Sequence, residues 1–341
     1  MKKNRLVALL CVAALLCVVL TGCVNTASVG KVNNQDIPMG VFNMRALSAM
    51  SVIMQEYGIS TYDELMALQI DGQNAKDAVI ERTFEEVLNI ATAERLYYAG
   101  GNKLTADHEA YITSYISSFI QQVGGQAQYE KELKEIGLTA KEFQEIQRSN
   151  LVYSVYMSMI FGPEGTQPLL ETDVLAYYNA NYVAAKHILF MTIDPNTNVA
   201  LPEAEKAQVL KNAQDVLARL QAGEDFDTLM NTYNEDPGVA ENPYGYAFTT
   251  GQMVAPFETA AFALDVDELS GLVETSYGYH IIKGVDKHAN ESLYAGAVEY
   301  IQNIIVNERF AKYIEDNKAG TSIIKNEEQA GKLDLGTFFI S

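Results

Sequence analysis

The apolar residues of this chain follow a helical spacing towards both ends and a strand-like spacing in the middle. Between residues 75 and 98, apolar side chains recur every three or four positions, which is typical of one face of an α-helix. Similar spacing recurs across the first 181 residues and again near the C-terminus. The pattern predicts helices over Met39–Tyr57, Ala75–Tyr98, Tyr111–Val123, Ala140–Ile160, Glu171–Asn181 and Glu291–Asn317.

Helix ends carry their own signals. Thr139 is followed three residues later by Glu142, the pattern of a capping box at a helix N-terminus. In the middle region, the segment from Pro202 to Gly223 is amphipathic and has proline at its start and glycine at its end. The middle region therefore contains at least one helix among its predicted strands.

Two of the four histidines lie inside short apolar runs with strand character. His187 lies in "VAAKHILFM" (Val183–Met191) and His280 lies in "SYGYHIIKG" (Ser276–Gly284). Alternate residues of a strand share a face. If the two strands are antiparallel neighbours, the imidazoles can meet, hydrogen-bond to each other and form the floor of a pocket.

The C-terminal helix Glu291–Asn317 carries an apolar stripe that needs a packing partner. The helices of the first 181 residues are the natural partner. We therefore predict that the middle region is inserted between two parts of one helical domain.

The N-terminus has the layout of a bacterial export signal. Positive residues at positions 2, 3 and 5 precede the apolar run Leu6–Leu20, which is short for a membrane-spanning helix but fits a secretory signal. The run ends in "LTGC", which resembles a lipobox and predicts a diacylglyceryl group on Cys23. The alternative is an ordinary signal, or an N-terminal membrane anchor, with an incidental cysteine.

Composition excludes several classes of function. The chain has 24 Lys and Arg against 44 Asp and Glu, a formal net charge of −20, which argues against nucleic-acid binding. The same charge is repelled by anionic lipid, so the predicted anchor would be the membrane contact. All three cysteines lie in the N-terminal segment, so the predicted mature chain has no disulfide and no cysteine nucleophile.

Residues 183–286 resemble the parvulin family of peptidyl-prolyl isomerases. The resemblance rests on "AKHILF", "GEDFDTLMNTYNEDPG", "GQMVAPFETAAFAL" and "VETSYGYHIIK", in that order. Together with the lipobox and flanking helices, the chain resembles the PrsA-type foldase lipoproteins, and its helical part is similar in layout to SurA-like chaperone domains. The resemblance implies an α+β fold, in which a small antiparallel sheet surrounded by helices is inserted in a mainly α-helical domain.

The expected domains are a signal peptide at 1–22, a helical chaperone-like domain at 23–181, a parvulin domain at 182–287, and a C-terminal helix and tail at 288–341 that pack on the helical domain. The resemblance implies catalytic roles for His187, Asp236 and His280. It implies substrate-binding roles for Phe248, Gln252, Met253, Phe257 and Thr275. No cofactor is expected, and no metal site, because the two histidines lack an obvious third ligand.

The sequence departs from the family pattern at the rim of the expected pocket. The turn "NPYGY" (Asn242–Tyr246) is one residue longer than the family turn, and Tyr244 stands in for an apolar residue. Tyr277 stands where some relatives have serine. The loop "MTIDPNTNVALP" contains no Lys or Arg, so specificity for phosphorylated Ser/Thr-Pro is not expected.

The leading hypothesis is an extracytoplasmic, lipid-anchored isomerase that acts on X-Pro bonds of unfolded exported polypeptides. For Asp236 an electrostatic role is favoured, because the reaction removes no proton. The alternative is a holdase chaperone whose parvulin domain is inactive. A lipid-anchored solute-binding protein is disfavoured by the absence of a two-lobed βαβ pattern, and a homodimer through the helical domain is left open.

Overall fold

A computed structural model describes residues 27–338 of the chain. Cys23 and the predicted signal segment 1–22 lie outside the described residues. The described residues form two compact units, one made of residues 27–168 with 308–338, and the other made of residues 169–307. The chain is thus a mixed α+β protein in which the second unit is inserted into the first.

The first unit is mainly helical. Its elements are β1 (Ser28–Val32), β2 (Gln35–Pro38), α1 (Met39–Glu56), α2 (Tyr62–Ala67), β3 (Gln69–Ile70), β4 (Gln73–Asn74), α3 (Ala75–Ala99), α4 (Ala106–Gln122), α5 (Gln126–Glu135) and α6 (Ala140–Phe161). Thr139 forms the predicted capping box with Glu142 at the start of α6.

Helices α2 and α5 were missed by the apolar pattern. Only Tyr129, Glu132 and Leu133 of α5 are buried, so the helix has too few apolar anchors to show a clear period. Tyr129 and Leu133 pack with Phe119 and Phe143 in one apolar cluster, in which the Tyr129 ring contacts both phenylalanines. Tertiary packing therefore stabilises a helix whose own sequence is mostly polar.

The C-terminal segment completes the first unit. Strand β9 (Ile323–Lys325) pairs with β1, giving a three-stranded antiparallel sheet of order β2-β1-β9. The short helix α12 (Glu327–Ala330) follows, and Leu335–Phe338 forms a 3₁₀ turn. Leu333 and Leu335 are buried in the main apolar cluster of this unit.

The second unit contains a sheet with helices on both sides. Its elements are α7 (Glu171–Asn181), β5 (Val183–Met191), α8 (Glu203–Gln221), α9 (Phe226–Tyr233), β6 (Tyr246–Phe248), α10 (Ala255–Phe262), β7 (Leu269–Glu274), β8 (Gly278–Val285) and the first part of α11 (Glu291–Asn317). The sheet is antiparallel, with strand order β6-β5-β8-β7.

The two faces of this sheet have separate cores, because successive strand residues point to opposite faces. Ile188, Phe190 and Ile281 face α8 and α9 and belong to one apolar cluster. Ala185 and Ile282 face α10 and belong to the other. The second face also receives both strand histidines, so this face holds the candidate site.

The apolar stripe of α11 is shared between the two units. Ala297, Ile301 and Ile305 pack with Val174 and Tyr178 of α7. The last turns of the helix, from residue 308, belong to the first unit. The boundaries of the two units, at residues 168/169 and 307/308, differ from the predicted domain boundaries at 181/182 and 287/288. The predicted boundaries remain a proposal.

Between residues 27 and 338, none of the helices is both long enough and apolar enough to cross a bilayer.

Candidate active site

Strands β5 and β8 are adjacent and antiparallel, and they bring the two histidines together. Leu189 pairs with His280, and His187 pairs with Ile282, so the imidazoles are diagonal neighbours on one face. Their ring centroids are 5.2 Å apart. Both side chains are buried.

The expected hydrogen bond between the two imidazoles is not formed. Nε2 of His280 instead shares a hydrogen bond of 2.9 Å with the Thr275 hydroxyl, and Nε2 of His187 lies 3.3 Å from Oδ2 of Asp236. Neither Nδ1 atom has a hydrogen-bond partner among the described residues. The diagonal register sets the rings edge to face at 61°, and their polar atoms turn to separate partners.

Phe257 of α10 packs against both imidazoles. Its ring centroid is 5.2 Å from that of His187 and 5.3 Å from that of His280. Phe248 of β6 lies behind it at 5.9 Å, and the partly buried Met253 packs on the same cluster. Because Phe257 and Phe248 are almost fully buried, they form the floor of the site, whereas Met253 reaches its surface.

Asp236 lies at the edge of this floor, in the loop after α9. Its Oδ1 accepts the Gly238 N–H at 2.9 Å, and its Oδ2 accepts the Tyr246 hydroxyl at 2.6 Å. Burial opposes the charge of the carboxylate. The neighbouring His187 imidazole and the donors of Tyr246 and Gly238 nevertheless hold the pKa of Asp236 well below its usual range. The site therefore contains a fixed negative charge.

Two residues at the site were missed by the sequence analysis. The Asn234 amide donates to the His187 carbonyl and accepts from the N–H groups of Leu189 and Asp236, so it ties the Asp236 loop to β5. Tyr246 bonds to Asp236 and stacks on His187, with centroids 5.7 Å apart. Asn234 lies within the quoted motif "NTYNEDPG", but an asparagine after a helix has no distinctive local signal.

The remaining predicted residues differ in placement. Thr275 bonds to His280, as described above. Gln252 is exposed, and its amide oxygen accepts the Thr249 N–H at 3.0 Å. The oxygen of this side chain is therefore bonded within its own loop. Tyr244 and Tyr277 are both exposed. Among the described residues, no group of three or more His, Cys, Asp and Glu is arranged to hold a metal ion.

The segment that carries these groups matches a known family. Residues 175–288 match the family model of the PPIC-type peptidyl-prolyl isomerase domain. Residues 175–288 form a parvulin-type isomerase domain. The match includes all of β5 to β8, and hence every residue of the site described above.

Sequence relatives carry the name foldase protein PrsA. The chain is 49% identical to that of Geobacillus kaustophilus over 84 residues, which is 24% of this chain and 30% of the relative. It is 27% identical to that of Halalkalibacterium halodurans over 256 residues, 71% of this chain and 70% of the relative. The more identical match is thus a segment of 84 residues that spans less than one third of the relative.

Among solved structures, the chain is similar to a peptidylprolyl isomerase (PrsA) from Bacillus cereus, at 21% identity and a TM-score of 0.31. That match covers 86% of this chain and 90% of the other. PrsA from Bacillus subtilis matches at 20% identity and a TM-score of 0.27, covering 93% and 100% of the two chains.

The two histidines of the parvulin domain lie in a dry environment. Burial lowers the pKa of His280 to about 3, and the neighbouring His187 imidazole adds to this effect. His280 is therefore neutral at neutral pH. A neutral ring adds no positive charge to the floor of the site.

Lowering the pH from 7 to 5 is expected to reduce the free energy of unfolding of the parvulin domain by about 2 kcal/mol through His280. Its pKa is about 3 in the folded domain and about 6.5 in an unfolded chain. The unfolded chain binds the proton first, so this stabilisation is complete above pH 6.5 and is lost as the pH falls. The contribution of Asp236, whose folded pKa is lowered, is lost only below about pH 4.

Hydrogen exchange of the β5 and β8 amides at pH 7 and pH 5, corrected for intrinsic rates, measures this change. His280→Gln should remove most of the pH dependence between these values. The exposed His288, in the same unit, provides the matched control His288→Gln. If His280→Gln keeps the full pH dependence, the assignment is wrong.

Proposed function

We propose that the protein is an extracytoplasmic foldase that isomerises X-Pro bonds in exported polypeptides. The observation that carries the proposal is the convergence of two buried imidazoles and the charged Asp236 on the apolar floor made by Phe257. The family match over residues 175–288 supports the same reaction. The names of the relatives support a role in protein folding.

The chemistry of the reaction suits such a site. Rotation about a peptide bond has a barrier of about 18–20 kcal/mol, because it breaks amide resonance. The twisted imide is less polar than either planar form, so an enzyme that binds it more tightly in a dry pocket lowers this barrier. Met253, above Phe257, would contact the proline ring. No covalent bond to the enzyme is required.

Asp236 would act on the polarity of the imide. A negative charge near the substrate carbonyl oxygen disfavours the planar amide, in which that oxygen carries partial negative charge. The twisted state loses part of this charge and is disfavoured less. The carboxylate is charged at all physiological pH values, because its pKa is held low. Neutral His280, with Thr275, would keep the adjacent floor dry and fixed.

The substrates would be unphosphorylated. The loop at residues 191–202 has no Lys or Arg to pair with a phosphate. Asp194 in this loop accepts the N–H groups of Asn196 and Thr197, so the loop presents a carboxylate near its tip. A phosphoserine would face this charge and that of Asp236 without a cation in the loop.

Residues 24–341 are expected to accelerate cis/trans exchange of unphosphorylated X-Pro peptides above the uncatalysed rate. A phosphoserine before proline should lower kcat/KM by about tenfold, through charge repulsion. Exchange NMR on peptides that differ only in the phosphate measures both effects. Absence of acceleration at micromolar enzyme would leave the holdase alternative. A preference for the phosphopeptide would contradict the argument from the loop.

The membrane anchor is a further part of the proposal. It rests on the "LTGC" sequence and the preceding apolar run, since Cys23 lies outside the described residues. A diacylglyceryl group supplies two acyl chains, enough for stable attachment to a membrane. Mass analysis of the mature N-terminus, with Cys23→Ala as the control, would establish or refute it.

The holdase alternative draws on features of the helical unit. A cleft of about 830 Å³ lies along α1 and α3. Its lining is mostly charged or polar but includes the apolar side chains of Val52 and Ile70 and the ring of Tyr153. Tyr111 and Met159 are exposed elsewhere on this unit. Such surfaces can bind unfolded chains without any contribution from the isomerase domain.

A further inference from the structure

Tyr246 lies at a point that connects two of the groups in the site. It is the first residue of β6 and pairs with Ala185 of β5. Ala185 and His187 share a face of β5, so the Tyr246 side chain lies diagonally beside His187. The two rings stack at an interplanar angle of 21°.

The Tyr246 hydroxyl reaches the same carboxylate oxygen as the His187 imidazole. It donates to Oδ2 of Asp236 at 2.6 Å, and Nε2 of His187 lies 3.3 Å from that atom. An ionised carboxylate can only accept hydrogen bonds, so the phenol must be the donor. The ring contact and the hydrogen bond therefore act together on the His187–Asp236 pair.

The loop that leads to Tyr246 leaves room for this contact. A Cβ atom on Gly238 would lie 2.5 Å from the Tyr246 hydroxyl, and the Gly238 N–H donates to Oδ1 of Asp236. Gly245 has a φ of +97°, and a Cβ there would lie 2.6 Å from the Ala185 carbonyl oxygen. Both glycines thus allow the tyrosine to approach the carboxylate.

We propose that Tyr246 is a positioning residue that holds the Asp236 carboxylate against His187. The proposal deepens the isomerase function proposed above and rests on it for its catalytic consequence. Without the phenol hydroxyl, Oδ2 keeps only the longer contact to His187, and the short hydrogen bond from the Gly238 N–H to Oδ1 is the only one left to fix the carboxylate. The negative charge is then held less firmly relative to the substrate carbonyl.

The protonation of the Asp236 carboxylate depends on the titratable groups around it. The titratable groups that face the carboxylate are His187 of β5, Tyr246 of β6 and, further away, His280 of β8. Glu241 in the same loop acts on the phenol. Burial and the bond to Asp236 raise the pKa of Tyr246, so it remains a donor at neutral pH. Removing this donor should raise the pKa of Asp236.

Tyr246→Phe, which keeps the stacked ring and removes the hydroxyl, tests the proposal in residues 24–341. We expect kcat/KM to fall about fivefold and the onset of Asp236 protonation, followed by carboxyl ¹³C NMR, to move up by about one pH unit. Tyr300→Phe is the matched control, since that ring is 46% exposed and lies on α11 in the same unit, outside the site. It should change neither quantity.

The two readouts separate the two proposals. An Asp236 titration that is the same in Tyr246→Phe and the wild type overturns the positioning role, whatever the activity. A displaced titration in a protein that has no isomerase activity supports the positioning role and refutes the isomerase function. Displaced titration with unchanged kcat/KM shows that Tyr246 does not position a group used in catalysis, and also overturns the proposal.

Discussion

Replacing Asp236 by alanine is expected to lower kcat/KM for isomerisation about 100-fold, the effect typical of removing one preorganised electrostatic group. The carboxylate is the only ionised acid of the residues that make up the site described above, and His187 and Tyr246 hold it in place. The substitution also leaves both donors without an acceptor. Exchange NMR at low temperature measures the rate while the domain remains folded.

The nature of the effect is tested by Asp236→Asn. Asparagine keeps an acceptor oxygen but removes the charge, so an electrostatic role predicts a loss close to that of the alanine variant. Near-normal activity of Asp236→Asn would show that only the hydrogen bonds matter. Asp227→Asn is the control, because this exposed carboxylate lies in the same unit and pairs with Lys186.

The double substitution Met253→Ala and Phe257→Ala is expected to abolish isomerisation and to spare suppression of aggregation by the helical unit. Phe257 is 3% exposed and contacts both imidazoles. Its loss removes the floor of the pocket and costs the domain about 3–5 kcal/mol. Aggregation of an unfolded client and exchange of an X-Pro peptide, measured on the same samples, compare the two activities.

Because Phe257 also supports the fold, the loss of activity needs a control for stability. Phe226→Ala removes a buried ring of similar size from the opposite face of the same sheet, away from the site. At a temperature where both variants are folded, Phe226→Ala should remain active. If it is as inactive as the double variant, or if aggregation suppression falls together with isomerisation, the assignment of separate roles to the two units is wrong.

The sequence could predict those parts of the site that depend on a local pattern. His187 and His280 each lie in an apolar strand, and the period of two placed each on a defined face. Antiparallel pairing of β5 and β8 brings them together in the register that the folded sheet adopts. The same holds for α3, from its apolar spacing, and for α6, from the capping box at Thr139; both were predicted to within one residue at each end.

Other features of the site and of the fold depended on the tertiary structure. The missing bond between the imidazoles follows from the diagonal register, which no single strand encodes. Helix α5 is held by aromatic contacts to distant segments.

By itself, the sequence determined the two histidine strands, because strand period is a local property, and the resemblance of its motifs predicted the apolar residues of the pocket. Only the tertiary structure decided which groups those side chains bond to. Asn234 and Tyr246 reach Asp236 and His187 through a turn between α9 and β6. Hydrogen bonds require atoms to lie within about 3 Å, and that distance is set by the folded loop and cannot be read from residue spacing.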